Sequence, residues 1–326
     1  MLYYLFDYLD KHFNFPGAGV FQYITFRAGA ATVTSLSIGA IYGRRIIALL
    51  HRLQIGETVR DLGLEGQKQK QGTPTMGGFI ILAALLIPVL LFAQLHNVYI
   101  ILLIVTTLWT CLIGFVDDYI KVFKKNKEGL QGKFKVVGQI GLGLIVGLTM
   151  YFNDDIKVRI YEKARIVTSI GYITKFSDIK TLITNVPFFK NNELDYSRLL
   201  WFLGDNARGI SSILFVIMTI FVITAVSNGA NLTDGLDGQA AGVSAIVITA
   251  LGILAYLSGN SVAADFLKIL YIPYSGELVI FAACLIGGCI GFLWHNVYPA
   301  RVFMGDTGSL TLGGIIASLE IIIRKE

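Results

Sequence analysis

Residues 224–246 read TAVSNGANLTDGLDGQAAGVSAI. Apolar sequence of membrane grade runs into Asn228, Asn231, Asp234 and Asp237 and then resumes. A bilayer excludes such residues unless they serve a function. The stretch therefore reads as the end of one membrane helix, a polar connection across Ser227–Gly238, and the start of the next.

Working outward, Gly77–Leu95, Val98–Phe115, Val136–Tyr151, Ile210–Val226, Ala241–Leu257 and Leu278–Leu293 are long apolar runs. Ala28–Gly43 is a more polar run leading into Arg44 and Arg45, and Gly308–Ile323 is the last. A membrane helix needs about 20 such residues, so about eight transmembrane helices are expected, several of them short. The expected fold is all-α, a polytopic integral membrane helix bundle forming a single domain over residues 1–326. Composition agrees: 15% of residues are charged and 54% hydrophobic, with a mean hydropathy of +0.65, whereas a soluble domain carries roughly 25% charged residues.

Met1–Phe15 is aromatic and mixed in charge, without the positively flanked apolar core of a secretion signal, and is expected to lie at the membrane interface. Cys111, Cys284 and Cys289 all sit in apolar runs, which suits reduced packing residues rather than a disulfide framework. The net charge of +5 comes from Lys and Arg in the connections between spans, which argues for membrane orientation and against nucleic acid as a partner. Arg44–Lys70 and Lys121–Lys135, the latter with six lysines, are placed in the cytoplasm by the positive-inside rule. Counting spans from there puts Ser227–Gly238 and His295–Asp306 on the same side and 153–209 outside. Within that outer segment VRIYEKARIVTSIGYITKF alternates and is rich in Ile, Val, Thr and Tyr, so a small β-hairpin is expected.

Four polar sets fall on the cytoplasmic side. KQGTPTMGG, residues 70–78, offers either a threonine-capped helix start or a donor-rich rim for phosphate or a nucleobase. GFVDDYIK closes the third span, with Asp117 and Lys121 on one helix face and Asp118 turned by about 100°. Adjacent ionised carboxylates need a cation or a lysine to offset their repulsion. In the opening stretch the pairs Asn228/Asn231 and Asp234/Asp237 are three apart, which suits a ligand with hydroxyl and amide groups or a hydrated metal. WHNVYPARVFMGDTGSL gathers Asn296, Arg301, Phe303 and Asp306. There Asp306 followed by Thr307, Gly308 and Ser309 favours Mg²⁺ with phosphate over a softer metal. His295 reads more readily as a packed helix-end residue than as a ligand. Together the sets describe a site for a large phosphorylated cytosolic substrate at the lipid surface.

GTPTMGG, FVDDYIK, NGANLTDGLDG and YPARVFMGDTGSL, in this order, resemble the phospho-N-acetylmuramoyl-pentapeptide transferases of the polyprenyl-phosphate sugar-1-phosphate transferase superfamily. The resemblance runs from about Phe26 to the end, with 153–209 as a poorly matching insertion, and PTMGG narrows it to the muramoyl branch. It implies a multi-pass protein of the bacterial inner membrane with its active site on the cytoplasmic side. UDP-MurNAc-pentapeptide and undecaprenyl phosphate would be its substrates and Mg²⁺ its cofactor, and a homodimer is compatible with it. The lipid phosphate attacks the sugar-side phosphorus and UMP leaves, either directly or through a covalent aspartyl intermediate.

By the same resemblance Asp306 is the metal ligand, Asp117 and Asp118 complete the charged centre, and Asp117 accepts a proton from the lipid phosphate or orients it. Lys70, Thr75, Asn296 and Phe303 match positions around uridine and its phosphates. Asn228, Asn231, Asp234 and Asp237 match the nucleotide-sugar loop, and Lys121 and Lys135 match basic positions that meet phosphate. A polyprenyl-phosphate GlcNAc-1-phosphate transferase differs only in its donor. An ion-coupled secondary transporter would instead place its acids near the mid-membrane.

Members of the family continue past GDTGSL through further helices and a histidine-rich cytoplasmic loop, whereas this sequence runs to IIIRKE with no histidine after His295. The final helix, Gly308–Ile323, is accordingly expected to be poorly anchored. At matched membrane levels these 326 residues are predicted to insert but to release UMP negligibly beside a chain extended through that loop. Equal rates from the two would show the loop to be dispensable.

Overall fold

The computed structural model describes residues 1–53, 72–126, 128–168, 171–186, 193–201 and 207–325. In chain order the helices before residue 153 are α1 (Leu2–Phe13), α2 (Ile24–Ser37), α3 (Gly43–Arg52), α4 (Gly78–Phe92), α5 (Val98–Phe123) and α6 (Gly132–Phe152). The segment 153–206 holds β1 (Val158–Thr168), β2 (Gly171–Ile179), β3 (Ile183–Asn185), β4 (Glu193–Asp195) and the short α7 (Tyr196–Leu199). Then come α8 (Ala207–Thr233), α9 (Gln239–Ser258), α10 (Ser261–Leu267), α11 (Gly276–Asn296) and α12 (Asp306–Ile322).

Among the described residues six helical segments are long and apolar enough to cross a membrane, the first being α2 and α3 joined through a wide turn at Ile38–Tyr42. The helical bundle expected from the apolar runs is therefore present. α4 and α12 are shorter, with 15 and 17 residues. The start of α5 follows from Asn97, whose side-chain oxygen accepts the backbone N–H of Tyr99 at 2.9 Å.

Two expectations are corrected. Ser227–Gly238 is not a connection throughout: α8 continues to Thr233, so Asn228 and Asn231 stand on its last turns and only 234–238 form the turn. The final helix is not poorly anchored. α12 is buried from Thr307 to Leu319 and packs against α4, α5, α8 and α9 as the central helix of the bundle. The expectation weighed its short length and charged end, while its Gly, Ser and Thr content lets neighbouring backbones close on every side.

The expected hairpin is present. β1 and β2 pair antiparallel from Val158↔Ile179 to Thr168↔Gly171, with an irregularity between Tyr161 and Arg165. Arg159 ties it down: its guanidinium pairs with Asp178 at 2.6 Å and its backbone N–H donates to the Tyr271 carbonyl at 3.1 Å. A second small ladder, β3 with β4, joins the end of α12 through the Asn185 N–H and the Arg324 carbonyl at 2.9 Å. At this same end Arg27 and Glu277 form a buried two-bond pair (2.9 and 2.6 Å). Arg27 also donates to the Phe92 carbonyl at 3.1 Å, so α2, α4 and α11 are locked together.

Among the described residues α5 meets the backbone of another helix most closely at Gly114. A Cβ there would lie 2.3 Å from the Asp306 carbonyl oxygen and 2.6 Å from Thr307 Cα, both backbone atoms that cannot rotate away. Helix propensity alone makes Gly→Ala favourable by about 1 kcal/mol. Overpacking costs about 1–3 kcal/mol, and here it wins. Gly114→Ala is predicted to lower the thermal midpoint of the detergent-solubilised protein, and a raised midpoint would show that α5 and α12 can part without loss.

Candidate active site

The last turns of α5 deliver Asp117 and Asp118 to the start of α12, and both are buried (0% and 2% exposed). Asp118 spends its oxygens on that helix start. It accepts the N–H of Asp306 at 3.1 Å, the N–H of Thr307 at 2.8 Å and the Thr307 hydroxyl at 2.6 Å. These are helix-start donors that lack intrahelical partners, and a carboxylate there also meets the positive end of the helix dipole. Gly305, just before, has φ 73°, and a Cβ would stand 2.7 Å from Asp118 Oδ2 and 3.0 Å from Thr75 Oγ1. Only glycine fits that turn.

Asp117 and Asp306 face each other across two lysines. Lys121 Nζ lies 2.5 Å from Asp117 Oδ2 and 3.1 Å from Asp306 Oδ1. Lys135 Nζ, arriving from α6, lies 3.0 Å from Asp117 Oδ1 and 2.5 Å from Asp306 Oδ2. The backbone N–H of Leu130 adds a third donor to Asp117, at 2.7 Å. The i, i+4 pairing of Asp117 with Lys121 is the one expected from the sequence. Two ammonium groups thus offset the mutual repulsion of three carboxylates.

One oxygen from each of Asp117, Asp118 and Asp306 falls within 4.8 Å of the others. Three hard carboxylate oxygens so close, with neither Cys nor His among them, fit a hard divalent cation. His295 takes no part in the cluster: it is buried and its Nε2 lies 3.1 Å from the Ala40 carbonyl oxygen, consistent with a packed helix-end residue.

The motif at 74–78 forms a backbone clasp. Phe303 N–H donates to the Pro74 carbonyl (2.8 Å), Gly77 N–H to that of Phe303 (2.8 Å) and Gly78 N–H to that of Met304 (2.9 Å). The clasp seats residues 303–305 directly before Asp306. Thr75 is buried within it beside Gly305 and does not cap α4, whose start has no side-chain cap. Lys70 lies outside the described residues.

The two remaining polar loops are stapled to one another. Asn296, 3% exposed, accepts the Gly238 N–H at 2.9 Å and donates to the Val302 carbonyl at 2.8 Å. Asp237 accepts the Ala300 N–H at 3.2 Å. Asn231 accepts the Ser309 hydroxyl at 2.8 Å, and half-buried Asp234 follows at the turn. Asn228 faces inward, to Gln139 of α6. The structure thus joins Asp117, Asp118, Asp306, Lys121 and Lys135 in one cluster. It sets Thr75 and Phe303 in the clasp before Asp306, and Asn296 and Asp237 in the contacts between the end of α11, the 297–302 loop and the 234–238 turn. Thr307 and Gln139 were not singled out as site residues, although Gln139, a lone carboxamide in the Val136–Tyr151 run one turn from Lys135, was a visible signal.

The chain matches the model of glycosyl transferase family 4 over residues 99–324, and residues 70–82 match the phospho-N-acetylmuramoyl-pentapeptide-transferase signature 1. A phospho-N-acetylmuramoyl-pentapeptide-transferase of Flavobacterium psychrophilum is 60% identical over 330 residues, covering 100% of this chain and 81% of that protein. Proteins of the same name from Flavobacterium johnsoniae (56% identical, 81% of its length) and Parabacteroides distasonis (58%, 78%) also align with 100% of this chain. The signature covers the clasp and the longer match takes in the whole acid–lysine cluster, so the chain belongs to glycosyl transferase family 4 and, within it, to the phospho-N-acetylmuramoyl-pentapeptide transferases.

Proposed function

We propose that this multi-pass membrane protein transfers phospho-MurNAc-pentapeptide from UDP-MurNAc-pentapeptide to undecaprenyl phosphate, releasing UMP and forming the first lipid-linked peptidoglycan precursor. The observation that carries this reading is the acid–lysine cluster at one end of the bundle, inside the matched region of a chain 60% identical to a named transferase. Arg44, Arg45 and Arg52 of α3 and Lys121, Lys124, Lys125, Lys133 and Lys135 lie toward that same end, which supports a cytoplasmic active site in the bacterial inner membrane.

In the reaction an oxygen of the lipid phosphate forms a bond to the sugar-side phosphorus, the bond from that phosphorus to the bridging oxygen breaks, and UMP leaves with the electron pair. Mg²⁺ held by Asp306 with Asp117 and Asp118 would supply charge stabilisation to the diphosphate. Lys121 and Lys135 are placed to follow the developing negative charge on the phosphoryl oxygens. Asp117, gripped by two lysines and a backbone N–H, is better suited to orienting the lipid phosphate or taking its proton than to forming a covalent bond. Asn231, Asp234, Asp237, Asn296 and Phe303, with Thr75, form the nucleotide-sugar side of the site, to which the family resemblance also assigns Lys70. Asn228 supports that side from within.

Purified protein as its gene encodes it, given both substrates, is predicted to release UMP. EDTA should abolish the release and Mg²⁺ restore it, and UDP-GlcNAc should not replace the muramoyl donor. Efficient turnover of UDP-GlcNAc would instead favour a GlcNAc-1-phosphate transferase, and EDTA-insensitive release would remove the metal role.

Asp306→Asn keeps the shape of the side chain while removing its charge. A rate lower by about two to three orders of magnitude is expected, as for loss of a principal charge stabiliser. Near-normal UMP release by this variant would refute the assignment.

A further inference from the structure

Below the acid cluster lies a buried carboxamide pair that the mechanism above does not use. Gln139 of α6 is 1% exposed. Its Nε2 donates to Asn228 Oδ1 at 3.2 Å and to Ser227 Oγ at 3.3 Å, and its Oε1 accepts Asn228 Nδ2 at 3.0 Å. Asn228 Nδ2 also reaches the Thr224 carbonyl at 2.9 Å, so no hydrogen-bonding atom of the pair is left without a partner. Ser227 Oγ continues to the Leu310 carbonyl at 3.4 Å, and Ser309 Oγ to Asn231 Oδ1 at 2.8 Å. The network therefore touches α6, α8 and α12, the helices that carry Lys135, Asn231 and Asp306.

We propose that Gln139 is a positioning residue for phosphoryl transfer: it sets the axial register of α6 against α8 and so holds Lys135 where its ammonium bridges Asp117 and Asp306. The inference rests on the transferase reading. Stability alone does not account for the pair, because replacing both partners of a buried hydrogen bond by apolar groups of the same shape is nearly neutral or stabilising. Register does account for it. Farther along α6 the contact with α8 is close apolar packing, Gly143 against Ile220 and Gly147 against Val216, which carries no directional bond. The bonds from Gln139 supply direction at the end nearest Lys135. Lys135 is one turn away on the same face, and its contacts of 3.0 and 2.5 Å leave little room for axial shift. A misplacement of about 1 Å can cost on the order of 100-fold in rate.

The test uses the protein as its gene encodes it, with Gln139→Leu, Gln139→Met and the reversed pair Gln139→Asn/Asn228→Gln. For Gln139→Leu and Gln139→Met, kcat is expected to fall at least about tenfold. KM for UDP-MurNAc-pentapeptide should stay within about threefold, while the thermal midpoint should fall in these single variants, which leave Asn228 Oδ1 without its partner, and return in the reversed pair. The reversed pair, which keeps the summed length of the two carboxamides, should recover most of the lost kcat. A parental kcat in both single variants, or a loss that the reversed pair leaves untouched, would overturn the positioning role. A second readout does not need turnover. With Cys111, Cys284 and Cys289 replaced by alanine and nitroxide labels at exposed Val137 of α6 and Ile213 of α8, Gln139→Leu should shift or broaden the label-to-label distance read by pulsed electron paramagnetic resonance. An unchanged distance distribution would overturn the role whatever the parent's activity, whereas no UMP release from the parent would overturn the transferase reading itself.

Discussion

The carboxylate of Asp118 closing the start of α12 is the contact on which the rest of the site depends. It joins the last turns of one membrane helix to the first turn of the central one with three hydrogen bonds, two of them from backbone N–H groups. A buried carboxylate is costly unless it is fully engaged, and a helix start has unengaged donors to offer. Each solves the other's problem. With Asp118 committed in this way, Asp306 is oriented by its own backbone, and Asp117, one residue back on α5, faces the opposite side of the junction, where Lys121 and Lys135 reach it.

The same junction explains why the most specific motif in the sequence is built from Pro, Thr and Gly rather than from charged residues. The 74–78 segment contributes backbone, not side chains: three hydrogen bonds to 303–304 hold the residues before Asp306 in an extended clasp. Bulk at Gly305 or Gly114 would push the α12 start away from Asp118. Binding chemistry and packing chemistry are therefore the same residues seen from two sides, and a motif that reads as a phosphate rim is also the seat of the acid.

Much of this was legible in the sequence, and the reason differs from part to part. Apolar runs gave the helices because a bilayer imposes length and composition together, and the Asp117/Lys121 pairing followed from helical spacing alone. The hairpin followed from alternation in 158–176. The depth of α12 was not legible: Gly313, Gly314, Ser309 and Ser318 look like a weak span until the neighbours that close on them are known. Nor was the continuation of α8 through Asn228 and Asn231, since polar residues next to Gly235 and Gly238 mimic a loop. Their carboxamides are instead engaged by side chains of α6 and α12. Long-range pairing of this sort, such as Arg27 with Glu277 across 250 positions, leaves no periodic trace.

Helix lengths place the cluster at a particular depth. At 1.5 Å per residue Asp118 stands about 30 Å along α5 from Val98, the thickness of a hydrocarbon core. α12, which starts at the cluster, has 17 residues and extends about 25 Å from it, and the 15 residues of α4 span about 22 Å. α5 itself continues past Asp118 to Phe123, and α8 runs for 27 residues to Thr233. The helices that start at the clasp are thus short, and α5 runs past the plane of the acids. In the proposed transferase reaction a phosphate headgroup in the membrane and a nucleotide arriving from water would meet at about that plane. Charged residues placed deeper would face the full cost of burial in hydrocarbon, and placed higher they would lose the lipid partner. The short α4 and α12 are the feature that reconciles the two demands.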